Sequence, residues 1–230
     1  MPRAPKSPVL ARTKPLRKRA FARRRAPARS EEDRQVKFLR ILDAALDVFS
    51  EKGFARSRLE DVAARAGIAK GTIYLYVPSK QGLFEALIRS GIGSAVEEIE
   101  QRLAAFDASA EDRLRALFRF FNKEVLGTRR RNIVRLLIVE AERIPALADF
   151  YHREVLTRAL GLLRRIARDA VERGEFKSDE LVRFPQLIVA PGVAALIWSD
   201  LFQRLEPIDM EAMFEAHLTL LMRALKGEAA

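Results

Sequence analysis

Apolar residues recur at helical spacing almost from one end of this 230-residue chain to the other. Between residues 38 and 49 they lie three or four positions apart, which places them on one face of a helix. Similar stripes follow as far as Leu225, and no segment alternates apolar and polar residues in the manner of a half-buried strand. The pattern predicts an all-α protein of about nine helices.

Two of the predicted helices are short and are separated by a single glycine. Ser57 and Glu60 have the spacing of a capping box, which predicts the start of a helix that ends at Gly67. Glycine suits that turn because a β-carbon would make its backbone conformation costly. A second short helix is predicted from Ala69 to Leu75. Two short helices joined in this way form a helix-turn-helix, which fits one helix into the major groove of DNA.

The fourth predicted helix begins after Ser79, which can cap it, and continues to about Phe106. Gly91 and Gly93 weaken it near its middle. Two interpretations stay open for this pair: a flexible point in the helix, or a place where another helix packs closely.

The eighth predicted helix extends from about residue 178 to residue 205 and contains two prolines. Pro185 and Pro191 each remove a backbone hydrogen-bond donor. The helix is therefore expected either to be kinked or to begin later than its apolar pattern suggests.

Positive charge is concentrated at the amino terminus. Residues 1–30 contain eleven Lys or Arg and no acidic residue. The chain has 42 Lys and Arg and 31 Asp and Glu, so removing those eleven leaves 31 of each sign, and the net charge of +11 belongs to this segment. Many prolines and few large apolar residues predict a disordered basic arm that binds polyanions. A solubilising leader is the alternative.

Several function classes find no support in the composition. The chain has no cysteine, which excludes disulfides, thiolate zinc sites and cysteine nucleophiles. It has no HExxH pattern and no glycine-rich phosphate loop, so we predict no metal, no cofactor and no enzyme activity. The longest apolar run, residues 188–198, is shorter than the ~20 residues of a membrane span and contains Pro191. The expected location is the cytoplasm, with no membrane partner.

The helix-turn-helix region resembles the tetracycline-repressor (TetR) family of bacterial transcriptional regulators. The similarity extends from about Lys37 to Ile92 and departs from the family pattern at Ala69 and Val77. Its most specific stretches are Arg40-Ile-Leu-Asp-Ala-Ala, Leu59-Glu-Asp-Val-Ala and Lys70-Gly-Thr-Ile-Tyr. The resemblance implies residues 31–78 as a DNA-binding domain, with its motif at about 58–77, and residues 79–226 as a domain for ligand binding and dimerisation.

The predicted DNA contacts combine small residues with hydrogen-bond donors. Small side chains let the helix approach the base pairs, while basic and hydroxyl groups reach phosphates and base edges. For the two tyrosines, packing beneath the helix is the alternative for one of them, but not for both. The candidates are Arg56, Ser57, Arg58, Lys70, Gly71, Thr72, Tyr74, Tyr76 and Lys80.

The resemblance also implies a repressor that a small hydrophobic or aromatic ligand releases from a palindromic double-stranded operator. It implies a homodimer through the last two helices, since such modules bind two half-sites as a pair. Glu140 would favour a cationic ligand if it faced the ligand. The candidate ligand contacts, each of which could instead be ordinary core, are Phe106, Phe118, Phe121, Leu137, Tyr151, Trp198 and Phe202.

A sequence-independent DNA-binding protein driven by the basic arm is the alternative function. The two hypotheses differ in selectivity, because a regulator should prefer its own site over random duplex by ~10³ or more.

The arm itself is open to test by deletion of residues 1–30. We expect sequence preference to survive while the dependence of DNA binding on salt flattens, since the log–log slope falls by ~0.9 for each phosphate that the arm no longer neutralises. Equilibrium titrations at several salt concentrations measure the slope. An unchanged slope would contradict a role for the arm in DNA binding.

Overall fold

The computed structural model describes residues 31–105 and 107–227, and within them the chain forms ten helices and no strand. The basic arm and Phe106 lie outside the described residues. The first three helices are α1 (Glu31–Lys52), α2 (Leu59–Arg65) and α3 (Lys70–Ile73). The all-helical class predicted from the spacing is confirmed.

Three of the longer helices each contain a π-helical stretch. Helix α4 comprises Lys80–Ile88, the π segment Arg89–Gly93 and Ser94–Ala104. Helix α5 comprises Ala110–Phe120 and the π segment Phe121–Leu126, and α6 is Arg130–Glu140. Helix α7 comprises Pro145–Tyr151, the π segment His152–Leu156 and Thr157–Glu172.

The last three helices resolve the question raised by the two prolines. Helix α8 is a single turn, Glu180–Arg183, and α9 begins immediately after Pro185 as Gln186–Leu201. Of the two expectations for the eighth predicted helix, the later start is confirmed: the long helix begins after Pro185, because proline cannot supply the hydrogen bond that would join it to α8. Pro191 is accommodated inside α9. Helix α10 is Met210–Lys226.

Buried apolar side chains form two clusters. The first joins α1–α3 to the first half of α4, to α6 and to the start of α7. The second joins the rest of α4 and α5 to α7, α9 and α10. The predicted boundary at residue 78 therefore does not coincide with a gap between two cores. No helix in the described ranges combines the length and the apolar character needed to cross a bilayer.

The predicted capping box at Ser57 is wrong by one residue. Arg58 is the N-cap of α2, and its backbone N–H donates to the Asp61 carboxylate at 3.0 Å. The Ser57 side chain is only 2% exposed, and its hydroxyl donates to the Phe54 carbonyl at 2.7 Å. Ser79 does cap α4, since its hydroxyl accepts from the Gly82 N–H at 3.0 Å.

Gly91 marks close packing between α4 and α6. A β-carbon built there would lie 2.3 Å from the Cδ1 of Ile133, whereas one at Gly93 would meet nothing nearer than 3.7 Å. Of the two interpretations of this glycine pair, contact with a neighbouring helix therefore applies to Gly91.

We predict that Gly91→Ala destabilises the protein by ~1–3 kcal/mol through overpacking against Ile133. Ile133→Val removes the clashing Cδ1, so the double variant should recover part of the loss. Gly93→Ala is the matched control and should be neutral or stabilise by ~0.5–1 kcal/mol, because alanine is the better helix former. Denaturant unfolding measures all three, and equal effects at the two glycines would contradict the packing role.

Candidate DNA interface and ligand cavity

A glycine in the left-handed backbone region sets the angle between α2 and α3. Gly67 has φ of 66°, and the Ile68 N–H beyond it donates to the Ala63 carbonyl at 3.0 Å, which closes the end of α2. Val62 and Ile73 are fully buried between these helices and α1. The buried side of α3 is thereby directed inward, and its opposite side faces solvent.

The outer side of α3 carries the residues predicted to contact DNA. Lys70, Gly71 and Tyr74 are exposed and Thr72 is half-buried. A β-carbon at Gly71 would meet nothing within 4 Å, so the helix surface is open at this point. The Lys70 ammonium lies 2.7 Å from the Glu60 carboxylate, which raises the pKa of Lys70 and lowers that of Glu60. An exposed ion pair of this kind is weak, so Lys70 can exchange partners.

The two tyrosines have different environments. The ring of Tyr76 stacks on Phe38 of α1, with centroids 6.0 Å apart and planes 7° apart. Tyr74 is 48% exposed. One tyrosine therefore packs beneath the helix and the other remains available on the outer side.

The loop before α2 exposes two arginines. Arg56 is exposed and its Nε donates to the Lys52 carbonyl at 3.0 Å, at the end of α1. Arg58 is exposed at the start of α2. Ser57 between them points inward, so the structure does not place its side chain with the predicted DNA contacts.

Lys80 also differs from its predicted role as a phosphate contact. Its ammonium group donates to the carbonyls of Phe54, Ala55 and Ser57 at 2.6, 3.1 and 3.0 Å, and it lies 4.5 Å from the centroid of the Phe54 ring. Burial lowers the pKa of Lys80, an effect that the nearby Glu140 carboxylate opposes. Three acceptors use its three N–H groups, so Lys80 holds the loop between α1 and α2.

An apolar cavity of about 180 Å³ lies among α4, α5, α6, α7 and α9. Aliphatic and aromatic side chains form nearly all of its wall. Tyr151 is the polar exception, and burial raises the pKa of its hydroxyl to about 12, so the hydroxyl stays protonated at neutral pH. The three predicted ligand contacts that line the cavity are Phe118, Phe121 and Tyr151.

All three π segments contribute to this cavity. Each is marked by a backbone bond to the fifth preceding residue, from Ser94 to Arg89, Gly127 to Asn122 and Thr157 to His152. Such bulges occur frequently at functional sites. Sequence reasoning missed this feature because apolar spacing does not reveal one extra residue in a turn. The wall residues from these segments are Ile92, Phe121, Val125, Val155 and Leu156.

The other predicted ligand contacts do not line the cavity. Leu137 is buried in the first apolar cluster. Trp198 and Phe202 pack against each other near the end of α9, with ring centroids 5.2 Å apart, and the indole N–H donates to the Glu206 carbonyl at 2.8 Å. Phe106 lies outside the described residues. Glu140 faces the loop at Phe54 and not the cavity, which removes the argument for a cationic ligand.

Apolar side chains are exposed on α9 and α10, the helices predicted to form a dimer interface. Val193, Ile197 and Leu201 are exposed, whereas Leu196 and Leu218 belong to the second cluster. Leu220 of α10 is 66% exposed, and the apolar pattern alone did not single it out. In the described ranges, no three His, Cys, Asp or Glu side chains are grouped so as to hold a metal ion.

Family models match most of the described chain. Residues 41–87 match the model for bacterial regulatory proteins of the tetR family. Residues 107–219 match the model for the tetracyclin repressor-like C-terminal domain.

Individual relatives agree with the family models. A probable HTH-type transcriptional regulator, ArpR of Pseudomonas putida, is 30% identical over 161 residues, which cover 66% of this chain and 73% of that protein. The fatty acid metabolism regulator protein of Bacillus subtilis is 26% identical over 158 residues, which cover 69% of this chain and 80% of that protein.

Solved structures share the fold. The transcriptional regulator FadR from Bacillus subtilis, in complex with stearoyl-CoA, superposes with a TM-score of 0.66 at 24% identity, covering 82% of this chain and 99% of that one. FadR from Bacillus halodurans superposes with a TM-score of 0.67 at 24% identity, covering 81% of this chain and 94% of that one. The chain therefore belongs to the TetR family of DNA-binding transcriptional regulators, which are not enzymes.

Proposed function

We propose that this regulator is a homodimeric repressor that binds a palindromic operator and is released from it by a hydrophobic ligand. The exposed side of α3 supports the DNA contacts. Lys70 and Gly71 are exposed, Thr72 is half-buried, and Tyr74 is exposed directly after the helix. Arg56 and Arg58 are exposed in the loop before α2 and at its start, and we propose that they hold the DNA backbone. Ser57, Tyr76 and Lys80 are left out of the proposed interface because their side chains are engaged within the protein.

The exposed apolar face of α9 and α10 supports the dimer. Leu187, Val193, Ile197 and Leu201 of α9 and Leu220 of α10 are each more than two fifths exposed. Pairing this face with a second copy would remove it from water, and the two-fold symmetry of such a pair would be mirrored by a palindromic operator.

The observation that carries the ligand proposal is the chemistry of the cavity wall. An almost wholly apolar wall with a single buried hydroxyl selects a ligand that is mainly hydrocarbon. The volume of about 180 Å³ is close to that of engineered cavities of ~150 Å³ that hold benzene. In this conformation the cavity therefore suits a small aromatic molecule or part of a longer chain.

Among longer ligands, we favour a fatty acyl thioester. The relative from Bacillus subtilis is a fatty acid metabolism regulator. The similar solved structure of FadR from Bacillus subtilis contains stearoyl-CoA. To admit a full acyl chain, the walls would have to separate, and the three π segments supply turns that can rearrange by one residue. Such an opening would shift α4 and α6, which pack against the DNA-binding helices.

The DNA-binding proposal is tested by the tyrosine pair. Tyr74→Ala should weaken binding about tenfold or more, the effect of losing a hydrogen bond to a charged phosphate (~1.5–3 kcal/mol), with no change in melting temperature. Tyr76→Ala should lower the melting temperature, because it removes the stack on Phe38. Fluorescence anisotropy on an operator selected from random duplex measures affinity and the number of protomers bound.

Arg168→Ala, which replaces an exposed side chain on α7, is the control. It should leave the operator affinity and the melting temperature unchanged. Equal affinity for operator and random duplex would instead favour the sequence-independent alternative. A single protomer on the operator would contradict the dimer.

The ligand proposal is tested by blocking the cavity. Stearoyl-CoA should release wild-type protein from its operator, and free CoA should not. Ala159→Phe places a ring at the cavity wall and should abolish release without weakening operator binding in the absence of ligand. Ala146→Phe, on the exposed side of α7, is the matched control and should respond as wild type does.

Release by indole but not by stearoyl-CoA would select the small aromatic alternative. An Ala159→Phe protein that still responds fully would show that the ligand binds elsewhere.

A further inference from the structure

Glu140 is a buried carboxylate in an unfavourable position. It is the last residue of α6 and only 3% exposed. The carboxyl end of a helix carries partial negative charge, and an ionised group is costly to bury without compensating bonds. Among the described residues, the only other buried polar side chain is Ser57. Stability alone therefore does not account for a glutamate at this position.

The carboxylate binds the loop that leads into α2. Glu140 Oε1 accepts from the Phe54 backbone N–H at 3.2 Å, across 86 positions of sequence. The Phe54 carbonyl accepts from Lys80 at 2.6 Å. The backbone N–H of Phe54 is thus bonded to α6, and the backbone carbonyl of Phe54 is bonded to the start of α4. Glu140 Oε2 is buried and has no hydrogen-bond partner within the described residues.

This loop determines where α2 begins. Gly53 has φ of 76°, and a β-carbon there would already lie within 4.0 Å of Glu140 Oε1. The Phe54 ring packs on Phe49 and Phe84, with centroids 5.2 and 5.3 Å away. With its ring and both backbone polar groups held, Phe54 ties the position of α2 to the position of α6.

Helix α6 also forms part of the ligand cavity. Val134 is a wall residue, and Ile133 beside it packs against Gly91, next to the wall residue Ile92. At the other end of α6, Arg129 pairs with Asp47 of α1. A ligand that displaced Val134 would therefore move a helix that is held by α1 at one end and by the loop before α2 at the other.

We propose that Glu140 is the positioning residue that couples the cavity to the helix-turn-helix through its bond to the Phe54 N–H. The coupling rests on the proposed ligand response. Without ligand, the bond holds the loop and α2 in the arrangement that binds DNA. Ligand binding shifts α6, withdraws the carboxylate and frees the loop.

Substitutions at Glu140 test the coupling in the full chain. The measured quantity is the ratio of operator affinity without and with saturating stearoyl-CoA, expected at ~5–150 for wild type. Glu140→Met fills the space but accepts no hydrogen bond, so its ratio should fall toward one and its ligand-free operator affinity should drop. Glu140→Gln keeps an acceptor and should retain the wild-type ratio. Glu142→Met, exposed two residues later, is the matched control and should also retain it.

A structural role alone would lower the melting temperature without changing the ratio. A Met variant that keeps the wild-type ratio, or a Gln variant that loses it, overturns the inference. If wild type itself does not respond to stearoyl-CoA, the proposed ligand fails, and the ligand-free operator affinity of Glu140→Met then decides: an unchanged affinity overturns the role of Glu140.

A measurement on wild-type protein covers the case in which Glu140→Met does not fold. Amide hydrogen exchange at Phe54 should accelerate at least tenfold when stearoyl-CoA releases the operator. The Ala66 N–H, which donates to the Val62 carbonyl at 2.8 Å at the end of α2, should keep its protection. Release of the operator without faster exchange at Phe54 would contradict the proposed coupling.

Discussion

The helix-turn-helix of this protein shares its hydrophobic core with α4, α6 and α7, three of the five helices around the apolar cavity. The two short helices α2 and α3 and the longer α1 supply only part of this core. Their cluster is completed by Leu83 and Phe84 of α4, by Leu137 of α6 and by Leu147 of α7. Because this packing is close, the orientation of α3 depends on where α4 and α6 lie. A shift of α4 or α6 would therefore be transmitted to α3 through direct contact.

The cavity is located where helices depart from regular geometry. Three π segments meet around it, and each inserts a residue into a turn, which redirects side chains such as Phe121 and Val155 toward the cavity. Glycine permits close packing at two points of this region: Gly91 admits Ile133, and a β-carbon added at Gly192 would lie only 3.0 Å from the ring of Phe121. The helices of the cavity wall thus pack closely in this arrangement. Their π segments are turns that could adopt a second arrangement.

Polar residues near the motif divide between those that face solvent and those that bond within the fold. Tyr76 and Tyr74 are two positions apart and have the same chemistry, yet one stacks on Phe38 and the other faces solvent. Lys80 and Ser57 carry donors typical of phosphate contacts but use them on the carbonyls of the loop before α2. That loop contains more backbone acceptors than local structure can satisfy, so nearby donors are directed inward. Glu140, distant in sequence, completes the same arrangement from α6.

Local pattern was sufficient to identify the helical class, the start of α4 after Ser79, the glycine turn at Gly67 and the family, because each depends on residues within a few positions of one another. The same reasoning indicated that a proline would interrupt the eighth helix. Tertiary structure decided which apolar residues line the cavity: Phe118, Phe121 and Tyr151 do, whereas Leu137 is core and Trp198 pairs with Phe202. It also decided the role of Glu140. Helical spacing shows which side of a helix is buried, but not whether that side meets another helix, a cavity or a loop 86 positions away, since those neighbours are set only when all the helices pack together.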